Sequence, residues 1–178
     1  ALPGYAWSID LLAIDPAYAP DWRTLTLPRS QSAHNLTMTV DVDGDFETYW
    51  QARPKKLQSN LRRYQRRSEE LFGISQVGLI DRANNMGDAV ARYGKLESAG
   101  WKGKSGTAIG SDNIQEQFYR QLMTEFSSNG EAVAIELYLG EKLAGSRLAI
   151  GHSKMWVMLK TTYDEALAAA APGRLLLW

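Results

Sequence analysis

The chain has 178 residues, enough to bury a core, and 20 Lys and Arg balance 20 Asp and Glu to a formal net charge of zero. It contains no cysteine, which excludes disulfides, thiolate nucleophiles and zinc-thiolate sites. No apolar run approaches the ~20 residues of a membrane helix and no basic segment precedes Leu2 as in a signal peptide, so a cytoplasmic protein without a membrane span is expected.

The zero charge hides two opposed segments. Residues 1–48 carry seven acids against Arg23 and Arg29, whereas residues 53–72 carry seven bases against Glu69 and Glu70. Such local fields point either to mutual docking or to a phosphate-bearing ligand near the basic stretch. Residues 1–34 are rich in Pro and Trp and read as an irregular lead-in with one short strand near Tyr5 to Ile9. From Asn35 the pattern alternates, with Leu36, Met38, Val40 and Val42 on one side, which predicts a half-buried strand ending at Asp43-Gly44. The lead-in is expected to span residues 1–44 and the main domain residues 45–178.

Asp45 is placed to cap a helix, which Pro54 restarts or kinks. Over residues 53–72, Leu57, Leu61, Tyr64, Leu71 and Phe72 share an apolar stripe opposite the Arg and Lys residues, and Gly73 is a natural stop. Ile74 to Ile80 has the apolar content of a strand. A second helix is expected over 86–99, then a loop, Trp101 to Gly106, whose Trp101-Lys102-Gly103 either shapes an acceptor site or is simply pinned by a buried Trp101. A third helix runs from about Asp112 to Ser128. Asp112 and Gln115 have capping-box spacing, and Ile114, Phe118, Leu122 and Phe126 form its stripe.

From Glu131 the pattern is all strand. Ala132 to Leu139, Leu143 to Ile150 and Met155 to Thr161 are separated by short Gly-containing turns, which predicts a three-stranded antiparallel meander. Glu136 and Tyr138 fall on one face and read as surface residues. An Ala-rich turn follows Tyr163 and Asp164, and Pro172-Gly173-Arg174 opens a last helix. That helix meets the chain end within one turn and leaves an exposed sheet edge, so truncation of a longer fold and self-association through that edge are expected. His34 and His152 have no partner at metal-ligand spacing, so no metal site is expected. The glycines between Gly103 and Gly110 lack the strand-turn-helix context of a P-loop.

Three stretches in this order carry a family resemblance: RPKKLQSNLRRYQRR at 53–67, WKGKSGTAI at 101–109 and KTTYDEALAAAAPGRLLL at 160–177. Residues 53–177 resemble the CelD-like branch of the GNAT acyltransferases, associated with bacterial cellulose biosynthesis and related to the FemABX-type transferases. The resemblance implies an α/β (α+β) core, incomplete here, with a mostly antiparallel sheet and flanking helices. It implies acetyl-CoA or another acyl-CoA as co-substrate and a small-molecule or glycan-linked amine as acceptor. The pyrophosphate would meet the helix start at Gly173, Arg174 and Leu175, where free amides and the positive helix end favour phosphate. Backbone groups around Leu159, Lys160 and Thr161 would pair with the pantetheine amide and polarise the thioester. Lys160, Tyr163 and Asp164 are the expected catalytic side chains, Asp164 as base or amine-orienting carboxylate. The helix Tyr that protonates the leaving thiolate in many relatives would lie past Trp178, so the fragment alone is expected to be inactive.

Each of these residues also has a structural reading. The basic helix can be a solvated face, and Asp164 can cap the next helix. Two alternatives accompany the acyl-CoA reading. One is a FemABX-like transfer from aminoacyl-tRNA, the only setting in which nucleic acid is expected as a partner. The other is a non-catalytic GNAT-fold module that docks a partner.

Overall fold

The computed structural model describes Asp10, Asp21, Thr24 and residues 28–32, 38–110, 113–152 and 154–176. The chain divides into two units, Ala1–Tyr49 and Trp50–Trp178. In the first, Asp45 caps helix α1 (Phe46–Gln51) as expected. Its carboxylate accepts from the Thr48 amide and hydroxyl, both at 2.8 Å. The alternating run does not form its strand over residues 38–43, where Met38, Val40 and Val42 are exposed. Alternation marks which side chains would share a face, but a strand needs a ladder partner, and none pairs with this run among the described residues. Leu36, His34 and the strand expected at Tyr5 to Ile9 lie outside the described residues.

In the second unit, Pro54 caps α2 (Lys55–Phe72) and Gly73, at φ 88, ends it. The buried face differs from the expected stripe. Leu57 and Leu71 are exposed, whereas Gln58, Leu61 and Ser68 are buried and Tyr64 and Phe72 pack on the core. The reason lies in backbone chemistry. Gln58 Nε2 donates to the carbonyls of Trp50 (3.2 Å) and Arg53 (2.8 Å), tying the start of the helix to the turn before it. Ser68 Oγ returns to the Gln65 carbonyl at 2.7 Å.

The sheet comprises β1 (Ser75–Ile80), β2 (Ala132–Leu139), β3 (Lys142–His152) and β4 (Met155–Tyr163), in the order β1-β2-β3-β4, and every pair is antiparallel. Between β1 and β2 come α3 (Ala83–Ala99), α4 (Trp101–Lys104) and α5 (Ile114–Ser128). After β4 come a 3₁₀ helix (Glu165–Ala170) and α6 (Pro172–Leu175). This is the mixed α/β architecture with an antiparallel sheet and flanking helices that the sequence led us to expect.

Alternation along the strands loads the two sheet faces differently. Ala132, Ala134 and Leu148 join Met86, Ala89, Val90 and Tyr93 of α3, Met123 of α5, and Ile109. On the other face Leu137, Leu139 and Ala144 meet Leu167, Ala170, Leu175 and Leu176, with Tyr64 and Phe72 of α2 against them.

Several local expectations are corrected. The segment after α3 is a helical turn, not a loop, and Trp101 is 62% exposed instead of buried. Asn113 caps α5, its side chain accepting from the Glu116 amide at 2.8 Å. The cap therefore sits one residue past Asp112, itself outside the described residues. The expected stripe holds only in part: Phe126 packs against the core, but Ile114 and Phe118 are exposed, while Glu116, Met123 and Ser127 are buried. β3 runs past the expected Ile150 to His152, which contacts Glu131.

Candidate active site

β4 has a neighbour on one side only, so its outer backbone groups have no ladder partner among the described residues. Lys160 lies opposite Leu148 and Met158 opposite Ala149, which leaves Leu159 as an extra residue. That bulge re-aims side chains. Leu159 packs against the α3–α5 core, and the next residue, Lys160, turns to the same helices. Thr161 faces the opposite side, where its Oγ1 accepts from Arg147 Nε at 3.1 Å.

Lys160 ends at Glu97, a residue of α3 that is 1% exposed. Four groups converge on this carboxylate. Lys102 Nζ (2.7 Å) and Tyr93 Oη (3.0 Å) donate to Oε1; the Ile109 amide (2.8 Å) and Lys160 Nζ (3.2 Å) donate to Oε2. Burial alone would raise the pKa of Glu97, but the Lys102 hydrogen bond, the Ile109 amide and Lys160 outweigh it and hold the carboxyl below its ordinary value. The same burial, with the anion beside them, pushes the Tyr93 and Tyr119 phenols up. Lys160 Nζ also lies 5.3 Å from the centre of the Tyr119 ring, a cation–π distance. The result is a buried anion with two ammonium groups, one of them carried by the edge strand.

Glu97 was not among the residues expected to matter. Its signal was present: with Met86, Val90 and Tyr93 it holds the i, i+4, i+7, i+11 positions of α3's apolar stripe, where an acid has to find a partner. The Trp-Lys-Gly motif also gains a physical account. Lys102 reaches Glu97, and Gly103 passes so close to α3 that a Cβ there would lie 1.9 Å from the Ser98 carbonyl oxygen.

The other expected site residues lie at the end of β4. Tyr163 pairs with Gly145, on the sheet face opposite Lys160. Its ring packs on Gly173, where a Cβ would fall 2.9 Å from Tyr163 Cδ1. Asp164 caps the 3₁₀ helix through the Ala166 amide (2.8 Å) and pairs with Lys142 at 2.7 Å. Burial would raise its pKa, but Lys142 and that amide outweigh it and keep the carboxyl below its ordinary value. At α6, Ala171 adopts the left-handed conformation, φ 51, and its carbonyl accepts from the Arg174 (2.9 Å) and Leu175 (3.2 Å) amides. Arg174 is exposed and donates to the Tyr64 hydroxyl at 2.9 Å, while the Leu175 side chain is buried. Lys160 is thus brought to Glu97, Tyr163 to Gly173 and Asp164 to Lys142. The three side chains do not form one cluster.

Glu136 corrects the surface expectation: it is 2% exposed and accepts from Arg92 Nε (2.9 Å) and Nη2 (3.2 Å) and from the Tyr138 hydroxyl (2.8 Å). No helix among the described residues is long and apolar enough to cross a membrane. A family model described as an acetyltransferase (GNAT) domain matches residues 55–178. No curated protein matches the chain.

Proposed function

Because the chain belongs to the acetyltransferase (GNAT) domain family, we propose that it transfers an acyl group, acetyl in the simplest case, from acyl-CoA to an amine along the open side of β4. The observation that carries this reading is the bulged edge strand running into α6. Such an edge offers unpaired backbone donors and acceptors to an extended amide-bearing ligand, as in strand addition. At the end of β4, where the Tyr163 ring packs on Gly173, Arg174 would be the surface cation near the phosphates. The backbone of Leu159 and Thr161 would hold the pantetheine arm. The donor supplies an activated thioester.

In this reading the amine attacks the thioester carbonyl, a C–N bond forms, the C–S bond breaks and the proton lost by the amine ends on the thiolate. Lys160 is the group proposed to stabilise the developing negative charge and return that proton. Glu97 is a positioning residue that holds it. Asp164, kept anionic by Lys142, suits orienting an ammonium better than abstracting its proton, and Tyr163 would form the floor beside Gly173. The motifs at 53–67, 101–109 and 160–177 favour the CelD-like type and an acceptor from polysaccharide or envelope metabolism. Acyl-CoA as donor goes with a cytoplasmic site of action.

Calorimetric titration with acetyl-CoA tests the reading. Saturable heat is expected, weakened in Gly173→Val because added bulk displaces the Tyr163 ring. Absence of heat at high-micromolar acetyl-CoA sinks the reading and leaves the partner-docking module. One observation favours the aminoacyl-tRNA alternative: Lys55, Arg62, Arg63 and Arg66 line one open hollow on α2. That alternative requires tRNA affinity that falls steeply as salt rises.

A further inference from the structure

On the α3–α5 side of the sheet the buried acids are answered within the protein: Glu97 by two lysines, Glu136 by Arg92. The opposite side carries a buried cation with no such answer among the described residues. Arg147 of β3 is 8% exposed, and among the described residues its side chain hydrogen-bonds from Nε to the neutral Thr161 hydroxyl. No carboxylate pairs with it among the described residues. Desolvation pulls its pKa below the ordinary value, with no opposing charge to restore it. A guanidinium does not escape by losing its proton at neutral pH, so its Nη hydrogens, for which no protein acceptor is found among the described residues, remain available to an oxyanion.

The residues beside it on its own strand are small. Along β3 its neighbours on the same side are Gly145 and Ala149, which put no more than one methyl group beside it. Across the sheet it faces Ile135 and Thr161. The adjoining row, Gly145 with Tyr163, is covered by α6. The Leu176 Cδ2 lies 3.5 Å from where a Gly145 Cβ would stand, and the Tyr163 ring rests on Gly173. Arg147 and Thr161 therefore form the first row past α6, on its side of the sheet and next to the edge strand.

We propose that Arg147, oriented by Thr161, is a carboxylate receptor beside the β4 edge, and that one of the two substrates of the transferase carries that carboxylate. A planar guanidinium fixed through Nε presents its Nη pair to a planar carboxylate in matched geometry, and a single cation balances a monoanion. The terms donor and acceptor rest on the acyltransferase reading; the carboxylate site itself does not. The source is either a dicarboxylic acyl group on the donor or an amino acid-like acceptor.

The test begins with succinate as probe and the Arg147 Nε–H resonance of ¹⁵N-labelled protein as readout, assigned by its loss in Arg147→Lys. A saturable shift is expected in wild type and in Thr161→Val with weaker affinity. Succinyl-CoA and acetyl-CoA are then compared by titration, as are alanine and ethylamine in the presence of CoA. Preference for the carboxylate-bearing member of either pair, by at least about thirtyfold and lost in Arg147→Met, identifies the source. If Arg147→Met does not fold, Arg147→Lys with reduced preference serves in its place. Binding of CoA esters with no succinate shift and no preference in either pair overturns the carboxylate site and leaves the transferase reading standing. A succinate shift without any CoA binding does the reverse.

Discussion

Glu97 occupies a position where an α-helix ordinarily presents an apolar side chain to its core, and its burial is tolerable only because Lys102, Lys160, Tyr93 and the Ile109 amide all reach it. Replacing it by Gln removes the charge and leaves two ammonium groups facing an amide, with an expected loss of about 3 kcal/mol in denaturant unfolding. The pH dependence has a definite sign. The folded carboxyl titrates below its unfolded value, so its stabilisation is complete above about pH 4.3 and is lost as pH falls through the folded pKa. Melting temperatures of wild type and Glu97→Gln should therefore differ most near neutrality and converge on acidification. A gap that stays constant down to acid pH would mean that the carboxylate is not charged in the fold. Gly103 is a second such position, limited by space rather than charge. Its φ is unremarkable for any residue, but Gly103→Ala drives a methyl group into the Ser98 carbonyl and should cost at least about 2 kcal/mol. Gly106→Ala meets open space and is penalised only by φ 71, so a loss of about 1 kcal/mol is expected. Chemical denaturation of the pair separates the two causes.

At the scale of elements, the sequence was most legible where period and punctuation agree. The three strands of the meander, the Asp45 cap and the Gly73 stop follow from alternation, an oxygen-bearing cap and a left-handed glycine. It was least legible where polar groups take core positions. An apolar wheel for α2 selects Leu57 and Leu71, yet the helix buries Gln58, whose amide bonds the carbonyls of the α1–α2 turn, and Ser68, whose hydroxyl bonds the Gln65 carbonyl. The same blindness turned Glu136 outward in expectation, since its partner Arg92 stands 44 residues away in the chain. Glu97 was missed for the same reason: its partner Lys160 lies across the fold and turns toward it only because of the bulge at Leu159. Gln58→Leu therefore tests this logic directly. It adds apolar surface but removes the Gln58 amide donor from the Trp50 and Arg53 carbonyls, and should destabilise by about 2 kcal/mol, whereas Leu57→Ala on the exposed side should change stability by less than about 0.5 kcal/mol. The opposite ranking in urea unfolding would show that hydrophobic burial, not carbonyl satisfaction, sets the face of α2.

At the scale of the whole molecule, the open side of β4 combines two properties that a single chain seldom leaves exposed together. Its backbone lacks a ladder partner among the described residues, and Met155, Trp156, Val157 and Met158 are all substantially exposed on it. Unpaired donors and acceptors next to apolar side chains are a template for strand addition, whether by an extended ligand or by a second copy of the chain. The two outcomes compete for one edge, which makes them separable. Sedimentation velocity should show association that rises with protein concentration and falls in Met158→Lys, since a charge on the edge opposes strand pairing without entering the buried core. Under the acyltransferase reading, acetyl-CoA should also suppress that association, because the pantetheine arm would occupy the same backbone groups at Leu159 and Thr161. Association unaffected by both the lysine and the ligand would move the contact to another surface and remove the open side of β4 from any account of what the protein binds.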